Sequence, residues 1–227
     1  MTPLRPLFAG ELPKLVMFDL DGTLLDSVPD MALAVDEMLQ QLGREPAGME
    51  RVRNWVGNGA LLLVRRALAG GVDCSAVDDS EAEAALPLFM DAYAKANGHT
   101  VRYPSVLECL NALRDAGVAL GLVTNKPERF IPALLREQQL DGFFQWIVGG
   151  DTFPKRKPEP DGLLWVMEQA GANAGQSLFV GDSRNDILAA RAAGVPCVAL
   201  TYGYNYGEDI SLHKPALVVD SLQELLA

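Results

Sequence analysis

Histidine is scarce: His99 and His213 are the only two among 227 residues. Catalysis by several imidazoles, or a histidine-rich zinc site, needs more than that. A serine hydrolase would pair one histidine with a G-x-S-x-G elbow. The nearest match, Gly181-Asp182-Ser183-Arg184-Asn185, lacks the closing glycine. Both histidines fall in polar stretches that read as loops. Cysteine is equally thin. Cys74, Cys109 and Cys197 are far apart, odd in number and form no C-x-x-C, which argues against a disulfide framework or a zinc knuckle. Basic charge is in deficit, with 19 Lys and Arg against 30 Asp and Glu and a net charge of −11. Such a surface repels phosphate backbones and anionic headgroups, so no nucleic-acid or membrane partner is expected. No apolar run approaches the roughly 20 residues that span a bilayer; the longest aliphatic stretch is Ala60–Val64. The first fourteen residues carry charges and three prolines rather than a signal-peptide core. These absences predict a soluble, cytoplasmic protein whose chemistry rests on carboxylates; a monomer or homodimer is expected.

What is present suits one or two globular domains, at 49% hydrophobic and 22% charged residues. Lys14–Leu20 is a nearly continuous apolar run ending at an aspartate, the pattern of a buried parallel strand. Similar runs recur at Val118–Thr124, Gln145–Gly149, Ser177–Gly181 and Pro196–Thr201. Helical patterns lie between them. Ser105 and Glu108 read as a capping box opening a helix that stops near Gly117. Pro127 reads as the first residue of another that runs toward Leu140. A third runs from Pro160 to Gly171, a fourth over Arg184–Ala193, and Ser221 with Glu224 caps a short terminal one. Strands alternating with helices of this length predict a doubly wound, Rossmann-like α/β core. Residues 27–100 break the alternation, with helical periodicity at Asp30–Leu42, Arg51–Ala69 and Ser80–Ala96 and no strand run. The expected organisation is a core of residues 1–26 and 101–227 with an all-helical cap, 27–100, inserted after the first strand. Such an insertion is expected to close over the carboxyl edge of the sheet, where open α/β folds bind ligands.

Four strand-end segments carry the chemistry. Asp19-Leu20-Asp21-Gly22-Thr23 closes the first strand with carboxylates two residues apart, and Gly22 lets the chain bend toward a ligand. Thr124-Asn125-Lys126-Pro127 offers a hydroxyl, an amide and backbone N–H groups to an anion, though an ordinary helix cap has the same look. Lys157-Pro158-Glu159-Pro160 places a lysine before a helix; alone it reads as a solvated charge run. Gly181-Asp182-Ser183-Arg184-Asn185-Asp186 adds two more carboxylates, which alone would suit a helix N-terminus. Together they suggest a phosphate, a hard cation and a carboxylate nucleophile. A dianionic phosphate cannot approach aspartates without countercharge. Magnesium, held by one or two carboxylates and substrate phosphate, suits this edge better than zinc.

The ordered set DxDGT, Thr-Asn, Lys-Pro and GDSxxD resembles the four motifs of the haloacid-dehalogenase superfamily of phosphohydrolases, and the resemblance covers nearly the whole chain. It implies Asp19 as the nucleophile that forms an aspartyl-phosphate, and Asp21 as general acid and then general base. It implies Mg2+ held by Asp19, the Asp21 backbone carbonyl and Asp182, with Asp186 supporting the metal site or orienting Lys157. Thr124, Asn125 and Lys157 would bind the transferring phosphoryl; Lys157 is preferred to Lys155 because Pro158 follows it. The segment Trp55-Val56-Gly57-Asn58-Gly59-Ala60, with Tyr202-Gly203-Tyr204-Asn205, is similar to the branch that hydrolyses 2-phosphoglycolate. Gly57 and Asn58 would then offer backbone N–H groups to the carboxylate of a small phosphorylated substrate. No strand precedes this segment and a third glycine is missing, so it is not a dinucleotide fingerprint; a plain connector is the alternative. Arg51, Arg53, Arg65 and Arg66 are candidate cap cations, with surface placement expected for most. The rival activities are a sugar-phosphate or pyrophosphate phosphatase, a sugar-phosphate mutase, and a silent phosphate-binding module, which should have lost one of Asp19, Asp21, Lys157 or Asp182. All four are present.

Overall fold

The computed structural model describes residues 2–96 and 98–226. In chain order, β1 (Leu15–Phe18) and β2 (Leu25–Asp26) precede α1 (Val28–Gln41), α2 (Met49–Arg53), α3 (Ala60–Ala69) and α4 (Asp79–Lys95). β3 (Val101–Arg102), α5 (Val106–Asp115), β4 (Ala119–Val123), α6 (Ile131–Glu137) and β5 (Trp146–Val148) follow. The chain continues with α7 (Asp161–Ala170), β6 (Ser177–Gly181), α8 (Arg184–Ala192), β7 (Cys197–Leu200) and β8 (Leu217–Val219). It divides into two compact units: one runs up to Leu25 and resumes at Arg102, the other spans Asp26–Val101. The two crossings, β2 and β3, pair as a small two-stranded sheet.

The first unit is a six-stranded parallel sheet in the order β5-β4-β1-β6-β7-β8. Strand alternation sends successive side chains to opposite faces. Val16, Phe18, Leu120, Leu122, Leu178 and Val180 therefore join one apolar cluster with Leu110 and Leu113 of α5 and Leu135 of α6. Leu15, Met17 and Phe179 join another with Leu163 and Val166 of α7 and Ile187 and Ala190 of α8. Burial on both faces explains why these strands read as unbroken apolar runs. The chain fills β4 and β5 on one side of β1 and then β6 to β8 on the other, so the carboxyl ends of β1, β4 and β6 meet at the switch point of the sheet.

The second unit is all helix apart from its two-residue crossings. Met31, Val35 and Met38 of α1, Leu63 and Val64 of α3, and Phe89 of α4 are buried, and so are Ala82, Ala85 and Ala92, whose small side chains let α4 pack closely. Phe89 and Tyr93 stack with centroids 5.8 Å apart.

Several local expectations change. Ser105 has a left-handed backbone (φ 63°), and its hydroxyl donates to Gln223 Oε1 at 3.0 Å instead of capping α5, so the expected capping box does not form. Pro127 has ψ 132°, outside the helical region; a 3₁₀ turn, Glu128–Phe130, intervenes, and α6 begins only at Ile131. Arg51–Ala69 is two helices, interrupted between Arg53 and Ala60. β8, an edge strand of three residues, is too short to stand out between Pro215 and the terminal 3₁₀ turn. That turn is capped as expected: Glu224 accepts from Ser221 N, and Ser221 Oγ from Gln223 N. A 3₁₀ helix over Thr2–Phe8 buries Leu4 and Phe8 against the core, a use for the N-terminal segment that its residues alone do not suggest.

Candidate active site

Asp19 follows β1 directly and is buried, with its side chain 12% exposed. Asp19 Oδ1 accepts from Leu20 N at 2.7 Å and pairs with Lys157 Nζ at 2.8 Å, contacts in which Oδ2 takes no part. Lys157, on the loop before α7, is buried and reaches Asp186 Oδ1, also at 2.8 Å. Its neighbour Lys155 is exposed and lies 3.9 Å from Glu159.

Asp186 stands in the first turn of α8, where its other oxygen, Oδ2, accepts from Asp182 N (3.1 Å), Ser183 N (2.9 Å) and Ser183 Oγ (2.7 Å). Both of its oxygens are thus committed, one to a lysine and one to the turn. Asp182, at the end of β6, takes Thr23 Oγ1 on Oδ1 and Tyr204 N on Oδ2, each at 2.6 Å. Gly22 has φ +90°, and a Cβ there would overlap the Asp182 carboxylate, as would one at Gly203. The glycine of DxDGT is required by this approach as well as by the turn.

Thr124 and Asn125 follow β4 and are both buried. Asn125 Nδ2 donates to the Lys157 carbonyl at 2.9 Å, tying the two loops together, and Thr124 Oγ1 accepts from Lys126 N at 3.2 Å. The peptide bond between Lys157 and Pro158 is cis.

Asp21 takes a different cation. Lys126 Nζ lies 2.9 Å from Asp21 Oδ1 and 3.2 Å from Oδ2, so the two carboxylates of the DxD motif address separate lysines. Sequence reasoning misses Lys126, because Thr-Asn-Lys-Pro looks like a helix cap and the lysine like a solvated flank. The available signal is its place, one residue beyond two site candidates at a strand end.

Electrostatics tie these groups together. Burial pushes Asp19 up to about 7, against the pull of Lys157 and with the help of Asp186 and Asp21. Burial, then Asp186 and Asp19, raises Asp182 well above the ordinary carboxylate range. Burial opposes the Lys157 charge, yet Asp186 and Asp19 hold it protonated beyond the usual lysine value.

Asp19, Asp182 and Asp186 each offer an oxygen within 4.8 Å of the others. The donor set is all oxygen, which suits a hard cation. Four carboxylates, Asp19, Asp21, Asp182 and Asp186, face two ammonium groups, a deficit that a divalent ion would balance. Asp186 is the most heavily engaged, with Lys157 on one oxygen and three hydrogen bonds on the other, whereas each Asp182 oxygen accepts one hydrogen bond and Asp19 Oδ2 takes no part in the contacts above, so Asp19 and Asp182 are the better placed to ligate.

Seven of the nine sequence-selected residues, Asp19, Asp21, Thr124, Asn125, Lys157, Asp182 and Asp186, thus lie at adjoining ends of the core strands. Gly57 and Asn58 lie in the helical unit, half-buried, on the connection between α2 and α3. Gly57 (φ +118°) and Gly59 (φ +86°) bend that connection, and buried Arg66 holds it from α3 by donating to the Trp55 carbonyl at 2.6 Å. Of the four candidate cap arginines, Arg66 is the buried one; Arg53 pairs with Asp26 at 3.2 Å, and Arg65 with Asp79.

A switch-point parallel sheet with buried aspartates and lysines at its carboxyl edge is the framework of a phosphate-handling α/β hydrolase. The chain belongs to the haloacid dehalogenase-like hydrolase family, whose pattern it matches over residues 16–200. Among curated proteins it is 61% identical to the phosphoglycolate phosphatase of Pseudomonas putida over 226 residues, 100% of this chain and 83% of that one. It is 57% identical to phosphoglycolate phosphatase 1 of Pseudomonas aeruginosa, with the same coverage. Among solved structures, a predicted phosphoglycolate phosphatase from Haemophilus somnus superposes with a TM-score of 0.87 at 36% identity, covering 94% of this chain and 96% of that one.

Proposed function

We propose that this chain is a magnesium-dependent phosphomonoesterase that converts 2-phosphoglycolate and water to glycolate and phosphate through a phosphorylated Asp19. The observation that carries the reading is the buried Asp19–Lys157–Asp186 chain beside Asp182, in a protein about 60% identical to phosphoglycolate phosphatases along its length. Asp19 Oδ2 attacks phosphorus while the bond to the ester oxygen breaks, and Asp21 gives that oxygen its proton. Asp21 then takes a proton from water, whose oxygen attacks the acyl phosphate and releases phosphate and Asp19. Lys157, with Thr124 and Asn125, holds the phosphoryl oxygens where charge develops. Asp186 keeps Lys157 charged and aimed at that position. Magnesium held by Asp19, the Asp21 carbonyl and Asp182 would offset the phosphate charge and draw Asp19 back to its ionised form. The substrate is a small metabolite, which suits a cytoplasmic enzyme; among the described residues no helix is long and apolar enough to cross a membrane.

The test is a comparison of kcat/KM across 2-phosphoglycolate, sugar phosphates, nucleotides and pyrophosphate, with magnesium and then with chelator. A magnesium-dependent preference for 2-phosphoglycolate is expected. Preference for another phosphoester would keep the core chemistry and remove the substrate assignment.

A further inference from the structure

Lys126 has no part in the chemistry assigned above, yet the fold fixes it beside one of the acting groups. Its side chain is 2% exposed, and its ammonium contacts both oxygens of Asp21. Its backbone is pinned on both sides: the N–H donates to Thr124 Oγ1 at 3.2 Å, and the carbonyl accepts from Gly150 N at 2.7 Å. A Cβ at Gly150 would collide with the Asn125 carbonyl, so that approach admits no larger residue. A buried lysine held this firmly needs a buried anion at all times. Asp21 is that anion here, but a carboxylate gripped through both oxygens is not directed at a leaving group.

We propose that Lys126 is a specificity-determining residue: its ammonium takes the carboxylate of the substrate in exchange for Asp21, and the exchange releases Asp21 to take a proton from solvent and carry it to the ester oxygen. The reach is adequate. A general acid works at about 2.6–3.2 Å from the atom it protonates, and an ammonium sits about 2.7–2.9 Å from a carboxylate oxygen. Taken from the present position of Asp21, before it turns from Lys126, this puts Nζ about 6 Å from the leaving oxygen. In 2-phosphoglycolate one methylene separates that oxygen from the carboxylate, which places the carboxylate oxygens roughly 3 Å from it by ordinary bond lengths. The exchange replaces one carboxylate by another, so the buried ammonium is never left without a countercharge. A substrate with a neutral group at that position cannot make the exchange and leaves Asp21 gripped. Lys126 thereby links recognition of the acid group to release of the catalytic one.

This inference rests on the 2-phosphoglycolate reading, and the experiment separates the two. Values of kcat/KM are measured for 2-phosphoglycolate and for 2-hydroxyethyl phosphate, which keeps the chain length and lacks the carboxylate, in the wild type, K126M and K126R. The ratio between the substrates is expected to fall about a hundredfold in K126M, chiefly because the acid substrate acquires a higher KM, and about tenfold in K126R, whose charge is displaced. Equal losses on both substrates would assign Lys126 to orienting Asp21 alone and overturn the proposal; so would an unchanged ratio. If K126M does not fold, the K126R ratio decides by the same criterion. A wild type with no preference for 2-phosphoglycolate would remove the substrate reading, whereas a preferring wild type with an unaltered K126R ratio overturns this inference alone.

Discussion

In the core unit, Asp19, Lys126, Lys157, Asp182 and Asp186 are all buried, and each is tied to an opposite charge, a backbone N–H or a hydroxyl of a neighbouring strand end. In the helical unit the pairs Arg44–Glu81 and Arg65–Asp79 lie at the surface, and burial falls instead on alanine, leucine and aromatic side chains. The helical unit has buried charges too, but they serve the chain path. Asp30 accepts from the backbone N–H groups of His99 and Thr100 and from Thr100 Oγ1, and Arg66 holds the Trp55 carbonyl. Desolvating an ion costs several kcal/mol even after relaxation. Five such groups gathered at one sheet edge fit the proposed chemistry, whereas the single buried charges of the helical unit fix the chain path.

The sharpest way to break this comparison is at its centre. Asp19→Asn removes the attacking oxygen and is expected to lower kcat by about 10⁴-fold or more. Far-UV circular dichroism would check that the fold survives. More than about 1% residual activity would move the nucleophile elsewhere.

Next come the two neighbouring lysines. Lys157→Met leaves Asp19 and Asp186 without their cation. It should cost about 3 kcal/mol of stability in chelator and about 10²–10³-fold in kcat. Lys155→Met, at an exposed side chain, should alter the folding free energy by less than about 0.5 kcal/mol. Comparable effects at the two positions, in denaturant titrations and turnover assays, would erase the distinction between them.

A smaller effect tests the carboxylate cluster as a whole. Asp19 stands at about 7 and Asp182 is also raised, so the folded chain binds these protons more tightly than the unfolded chain does. The stabilising contribution of Asp19 is complete below the unfolded value of about 4 and is lost as pH rises through about 7, and that of Asp182 is lost in the same direction. The Tm in chelator is therefore expected to fall by several degrees between about pH 5 and pH 7.5, and to fall less with magnesium. Parallel curves would deny the cluster its cation.

At the small end, Arg44→Ala removes an ion pair whose partners are 42% and 45% exposed. It should cost no more than about 1 kcal/mol in a denaturant titration. A larger loss would show that the helical unit depends on surface charge in a way its packing does not suggest.

The same contrast explains what can be read from the sequence. The four longer strands of the sheet, β1, β4, β6 and β7, are legible because burial on both faces leaves unbroken apolar runs, each followed by a polar residue at the carboxyl edge. Asp19, Lys157 and Asp182 are legible because their residue types recur in a fixed order at those ends. Of the two three-residue strands, β5 is picked out by its run Gln145–Gly149 between two helical patterns, whereas β8 lies between a loop and the terminal 3₁₀ turn with no helix to set it off. The break between α2 and α3 is only half visible: Gly57 and Gly59 announce a turn, but the apolar spacing continues through it. Lys126 escapes because its role is set by a partner 105 residues away, which no local pattern encodes. The Ser105 capping box fails for a related reason, its hydroxyl being drawn to Gln223 across the fold.

Asp19 is the group on which the proposed chemistry turns, since the proposal has it carry the phosphoryl group. The direct measurement is acid quenching during turnover of 2-phosphoglycolate, followed by borohydride reduction and peptide mass spectrometry. The expected result is that the peptide containing Asp19 carries the phosphoryl group and that reduction converts Asp19 to homoserine. A phosphoryl group on any other residue, or none under conditions of active turnover, would contradict it.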